Sequence, residues 1–176
     1  DAMDYDETIS APLTPEETKR LKQLGPAYAC PDLINSRCVN DIDVDKRPIH
    51  CTDDARNKYI IQVNGKWITD RGGGRILEPT FKIMNELFNN TKQIIENYDK
   101  KIEQRDKKMR GEIVSDNDYS DSNVQKLERT MKGLSHIQRK ENRTDVLRTV
   151  KNKILLDNVQ VEHGKLLIND DSNRLI

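Results

Sequence analysis

The chain has 176 residues, 34% hydrophobic, 34% charged and 5% aromatic, and its mean hydropathy is −0.86. A compact domain usually has nearer half its residues apolar, so this composition argues against a thick core. It favours long helices sharing thin seams, or a core completed by a partner. With 30 basic and 30 acidic side chains, no whole-protein field draws the chain to nucleic acid, and no apolar run approaches the length of a membrane span.

The charge balance conceals an asymmetry. Residues 1–57 hold 7 basic and 12 acidic residues, whereas 123–156 hold 9 basic and 3 acidic, giving an acidic head and a basic tail. Three cysteines are an odd count and make no disulfide framework, and no signal-peptide pattern is present. An intracellular, reducing compartment is therefore expected. The first residue, Asp1, reads as the start of a piece of something longer.

Residues 1–11 are acidic and without periodicity, and are expected to be disordered or draped on something else. Thr14-Pro15-Glu16-Glu17 then forms a capping box, opening a helix that runs to Leu24 and stops at Gly25-Pro26. Residues 26–49 read as irregular, punctuated by Pro26, Pro31 and Pro48, with Leu33, Ile34, Val39, Ile42 and Val44 able to line a short helical turn and an extended segment. Thr52 is expected to cap a short helical turn through Asp53 to Arg56.

Lys58–Val63 suits a strand, Asn64-Gly65 signals a hairpin, and Lys66–Thr69 returns with the only tryptophan, Trp67. A two-residue turn pairs Val63 with Lys66, Gln62 with Trp67 and Ile61 with Ile68. Alternation puts Tyr59, Ile61, Val63 and Ile68 on the face for burial, with Ile60 and Trp67 on the other. Trp67 is nonetheless expected to be substantially buried between the hairpin and the next helix. Gly72 to Gly74 release the chain into that helix, with Pro79 as its first residue and an end near Arg110.

Its apolar residues include Met84, Leu87, Ile94, Tyr98 and Ile102, at helical spacing. After a polar loop over 115–122, Val124, Leu127, Met131 and Leu134 form an a/d seam over two heptads. Asn142 to Thr144 breaks that helix, with Thr144 as the next cap. Val146, Leu147, Val150 and Ile154 mark a third helix, and 159–168 a second short hairpin. The expected fold is α+β and mainly helical. It divides into an acidic segment over 1–49, a hairpin-plus-helix module over 50–110, and a basic helical region over 111–176.

Cys51-Thr52-Asp53, Arg56, Tyr59, Trp67 and Asp70, followed by a helix, resemble a small module of uncharacterised mimivirus-like proteins of large DNA viruses. The similarity covers about a quarter of the chain, the size of one supersecondary unit. The resemblance implies a viral origin and a structural or binding role. It carries no activity, and the zinc finger that often precedes the module is absent.

No motif for catalysis survives inspection. Cys30, Cys38, His50 and Cys51 are donors that zinc accepts. Their spacing departs from pairs two to four residues apart, so buried free cysteines and no metal are expected. Asp41, Asp43 and Asp45 alternate as in a calcium loop, but Lys46 and Thr52 stand where glycine and glutamate are required. Arg71-Gly72-Gly73-Gly74-Arg75 lacks the Gly-Lys-Ser/Thr of a phosphate loop.

The reading is therefore a non-enzymatic viral structural or protein-interaction module without cofactor, in host cytoplasm or virion. It self-associates, or binds another viral protein, through an oligomer seam at Met84, Leu87, Ile94, Tyr98, Val124, Leu127, Met131 and Leu134. The alternative is a nucleic-acid-binding protein using Lys126, Arg129, Lys132, Arg139, Lys140 and Arg143, and a further possibility is that the basic tail docks on the acidic head.

Overall fold

The computed structural model describes residues 1–107 and 121–160. It is α+β and mainly helical, as the sequence suggests, with a small antiparallel sheet in the order β1-β2-β3. The strands are β1 (Ile49–Asp53), β2 (Lys58–Val63) and β3 (Lys66–Arg71). The helices are α1 (Tyr5–Ser10), α2 (Pro15–Leu24), α3 (Pro26–Ile34), α4 (Gly74–Lys107), α5 (Asp121–Ile137), α6 (Arg143–Val146) and α7 (Arg148–Gln160).

The β2–β3 hairpin has the register read from Asn64-Gly65, with Val63 opposite Lys66 and Ile61 opposite Ile68. Both turn residues have positive φ, 52° and 75°, the geometry that favours this dipeptide. The Thr52 turn is corrected: Ile49–Asp53 is a third strand, pairing Ile49 with Ile61 and Cys51 with Tyr59. The Thr52 hydroxyl donates to the Lys58 carbonyl across the bulge that ends this ladder. Helices cover the face bearing Ile49, Cys51, Tyr59 and Ile61, which all belong to the main core. Trp67 lies on the opposite face, half-buried, its ring 5.5 Å from that of His50, and not between hairpin and helix as expected.

Three stretches are more helical than the sequence suggests. The acidic head forms α1, with Asp4 accepting the Glu7 N–H as its cap and Tyr5 and Ile9 fully buried. The Tyr5 hydroxyl donates to the Ile76 carbonyl at 2.8 Å, pinning α1 to the start of α4. Pro26 opens α3, and Pro31 sits inside it with exposed Ala27 four residues earlier. A π-turn, Asn35–Val39, extends α3 and closes with the Asn40 N–H on the Asn35 carbonyl. The third is the start of α4, at Gly74 and not Pro79. The buried Asp70 carboxylate accepts the Ile76 N–H at 2.8 Å and so caps the helix near Gly74, ahead of Pro79.

The capping box is present as read, with Thr14 and Glu17 bonding each other's backbone N–H. Thr144 lies inside α6 and is not a cap. Of the second hairpin, Val159 and Gln160 belong to α7 and the rest lies outside the described residues, as do 108–120. One core joins α1, α3, β1, β2, α4, α5, α6 and α7, so the three segments share their apolar interior.

Candidate functional site

The helical seams come together inside one chain. The α4 and α5 helices lie along each other, and Gln138 Nε2 donates to Asn85 Oδ1 at 3.0 Å where α5 ends beside the early part of α4. Met84 is fully buried, and Val124 and Leu134 are 7% and 5% exposed. Leu87 and Met131 are half-buried against the main core, and Ile94, Tyr98 and Leu127 are also half-buried. The seam proposed for oligomerisation is thus largely spent within the fold. What remains open is the outer part of α4, where Ile102 is 38% exposed.

With the apolar stripe of α5 turned inward, its opposite face is fixed in solvent. At 3.6 residues per turn, Gln125, Arg129, Lys132 and His136 fall within about 60° of one another, and Lys126 borders them. All five are exposed, as are Arg139 and Lys140 just beyond the helix. None of Lys126, Arg129, Lys132, Arg139 and Lys140 takes part in an ion pair among the described residues. Glu128 and Glu141 are the nearest acids in sequence; Glu128 sits on the flank of the stripe.

Cations elsewhere in the basic tail behave differently. Arg148 pairs with Asp145, and Lys153 with Asp157. Lys151 Nζ is 3.0 Å from an Asp54 carboxylate oxygen and donates to Asn57 Oδ1 at 2.8 Å. Arg47 Nη2 meets Asp157 at 2.7 Å, both side chains under a tenth exposed. Burial works to raise the Asp157 carboxyl, but Arg47 and Lys153 outweigh it and hold it below its usual value. Tail and head therefore meet at Lys151 and Asp54, and among the described residues no ion pair reaches the α5 face.

Arg143 departs from the other expected nucleic-acid residues. It is half-buried, its guanidinium lying so close to Gly74 that an added Cβ would come within 2.8 Å of Cζ. It borders an open groove of about 540 Å3 with Glu78, Phe81, Lys82, Asn85 and Gln138. The mixed charges of that groove favour no one ligand class.

All three cysteines and His50 lie inside the fold. Cys30 and Cys38 are fully buried and burial raises both thiols to about 12; Cys51 is raised to about 11 by the same cause. Burial lowers His50 to about 3, with the Arg47 charge adding to the effect, so the ring is neutral at ordinary pH. His50 and Cys51 point to opposite faces of β1 by strand alternation. Among the described residues no three His, Cys, Asp or Glu side chains gather as a metal would require. Likewise no described helix is long and apolar enough to cross a membrane.

The positions carrying the viral resemblance have structural tasks. Cys51 and Tyr59 pair across β1 and β2 in the core, Asp70 caps α4, and Arg56 lies near Asp53. These residues define a meander leading into a helix. No protein-family model, curated protein or solved structure matches the chain.

Proposed function

We propose that this chain is a non-enzymatic interaction module of a large DNA virus, meeting its partner through the α4–α5 helical pair. The observation that carries the proposal is the contrast between the two faces of α5. Its apolar face is buried against α4 and α3, while its outward face keeps cations without ion partners among the described residues. Inward burial of thiols and imidazole supports a binding role over a chemical one, since those groups neither ionise readily nor meet solvent.

That contrast favours nucleic acid over self-association as the binding event. Self-association retains the outer part of α4 near Ile102 as its surface. Light scattering on the purified chain, with and without nucleic acid, separates the two. A monomer whose mass rises only when nucleic acid is added is expected. A stable dimer unaffected by nucleic acid would return the reading to assembly, and a monomer binding none would defeat the nucleic-acid reading.

A further inference from the structure

We infer that the outward face of α5 docks on the phosphate backbone of a nucleic-acid duplex, without reading its sequence. This rests on the nucleic-acid reading above and narrows it to one form of ligand. Three features of the face point to a duplex.

The first is charge placed on a straight support. Arg129 and Lys132 stand on the stripe with a rise of about 4.5 Å between them, Lys126 borders it one step of three residues earlier, and Arg139 and Lys140 follow just beyond the helix end. A duplex offers a phosphate about every 1.7 Å of its axis, so a rigid row of cations meets several without deforming it. Helix stability does not account for the row. A helix C-terminus is favoured by cations, but Lys126 lies in the N-terminal half of α5 and Arg129 at its middle.

The second is the lack of rings. Single-strand binders stack bases on aromatic side chains, and this face carries only the imidazole of His136. The exposed large apolar residues, Leu24, Tyr28, Ile102 and Leu156, all lie on other helices. The third is the scarcity of amides, which read adenine, beside cations that serve phosphates as readily as guanine. Gln125 is the single amide on the stripe, too few to read an edge pattern over several base pairs. A membrane surface is a poorer fit, because a helix lying on lipid must bury an apolar face there, and that of α5 is already buried on α4.

The test is fluorescence anisotropy with labelled DNA and RNA duplexes of about two helical turns, each alongside its single strand. Affinity for the duplexes should fall about 100-fold or more between ~50 and ~200 mM salt, as release of four to five counterions requires. The double variant Arg129→Glu with Lys132→Glu should weaken duplex binding at least tenfold. Lys19→Glu with Lys22→Glu, exposed on α2 and equal in charge change, should alter it far less. Circular dichroism establishes that both variants fold. DNA and RNA duplexes bound alike would support backbone docking. Equal or tighter binding of single strands would overturn the duplex inference and leave nucleic-acid binding standing. Equal loss in both double variants would overturn the assignment to α5. Displacement of duplex by polyglutamate at equal charge would point to an acidic protein and overturn it as well. Binding of no nucleic acid would defeat this inference and the reading beneath it together.

Discussion

Replacing Arg37 with methionine should destabilise the fold by about 3 kcal/mol or more, the scale for breaking a largely buried ion pair. Arg37 sits in the π-turn and is spent on two other elements. Its Nε and Nη2 hold both carboxylate oxygens of Glu17 at 2.9 Å. Its Nη1 donates to the carbonyls of Thr8, Ile9 and Ala11, and Nη2 also to that of Pro12. The Thr8 and Ile9 carbonyls are among those the end of a short helix leaves unsatisfied, and Ala11 and Pro12 follow that end. Methionine keeps some of the apolar stem and removes every donor, leaving Glu17 and the end of α1 without their partner.

The same pair makes a pH prediction. The Arg37 hydrogen bond lowers Glu17 from 4.5 to about 2, against the opposing effect of burial. A carboxyl with a folded pKa below its unfolded one stabilises the fold above the unfolded value. The contribution is whole above about pH 4.5 and is lost as pH falls through about 2. Urea unfolding at neutral and acid pH should show Arg37→Met weaker at neutrality and less sensitive to acid than the parent. A loss below about 0.5 kcal/mol, the level of an ordinary surface change, would show that α1 is not held by this side chain.

The second large effect concerns the seam. Leu134→Glu should cost about 4 kcal/mol, combining a lost buried leucine with a carboxylate forced into the core. Lys132→Glu, two residues away on the solvent face, should change stability by no more than about 0.5 kcal/mol. Thermal unfolding followed by circular dichroism measures both. If the seam mated with a second copy, Leu134→Glu would instead yield a folded, dissociated chain.

What could be read from the sequence was local. Asn64-Gly65 fixes a turn by its own backbone preferences, and Thr14 to Glu17 closes its capping box within four residues, so both appear as expected. The a/d spacing from Val124 to Leu134 likewise identifies α5. The errors arose where a distant partner decides. Thr52-Asp53-Asp54 has the chemistry of a helix cap, yet Tyr59 and Ile61 recruit that segment into the sheet. Tyr5 and Ile9 are too few to announce a helix, and α1 is held by Ile76, Arg37 and Asn64 from elsewhere in the chain. Pro79 suggested a helix start because the role of Asp70, six residues before Ile76, emerges only once the glycine turn has folded.

The candidate site was legible in the same partial way. Counting charges finds the basic tail but not which members are already paired. Lys151 meets Asp54 across 97 residues of sequence, a pairing that spacing alone does not reveal. Arg143 looked equivalent to Arg139 until Gly74 brought a backbone beneath it. The seam residues had the right periodicity for assembly, and periodicity does not distinguish a second copy from the neighbouring helix.

That distinction underlies the whole account, because the outward face of α5 is defined only if its inward face is covered by α4 and α3 of the same chain. The direct measurement places cysteines at Asn85 and Gln138, side chains 3.0 Å apart, and treats a mixture of tagged and untagged chains with a short bis-thiol reagent. The native cysteines are buried with raised thiol pKa values and should stay unmodified in the folded chain. Cross-linking within single chains, with no tagged–untagged dimer, is the predicted result; tagged–untagged dimers joined through these two positions would contradict it.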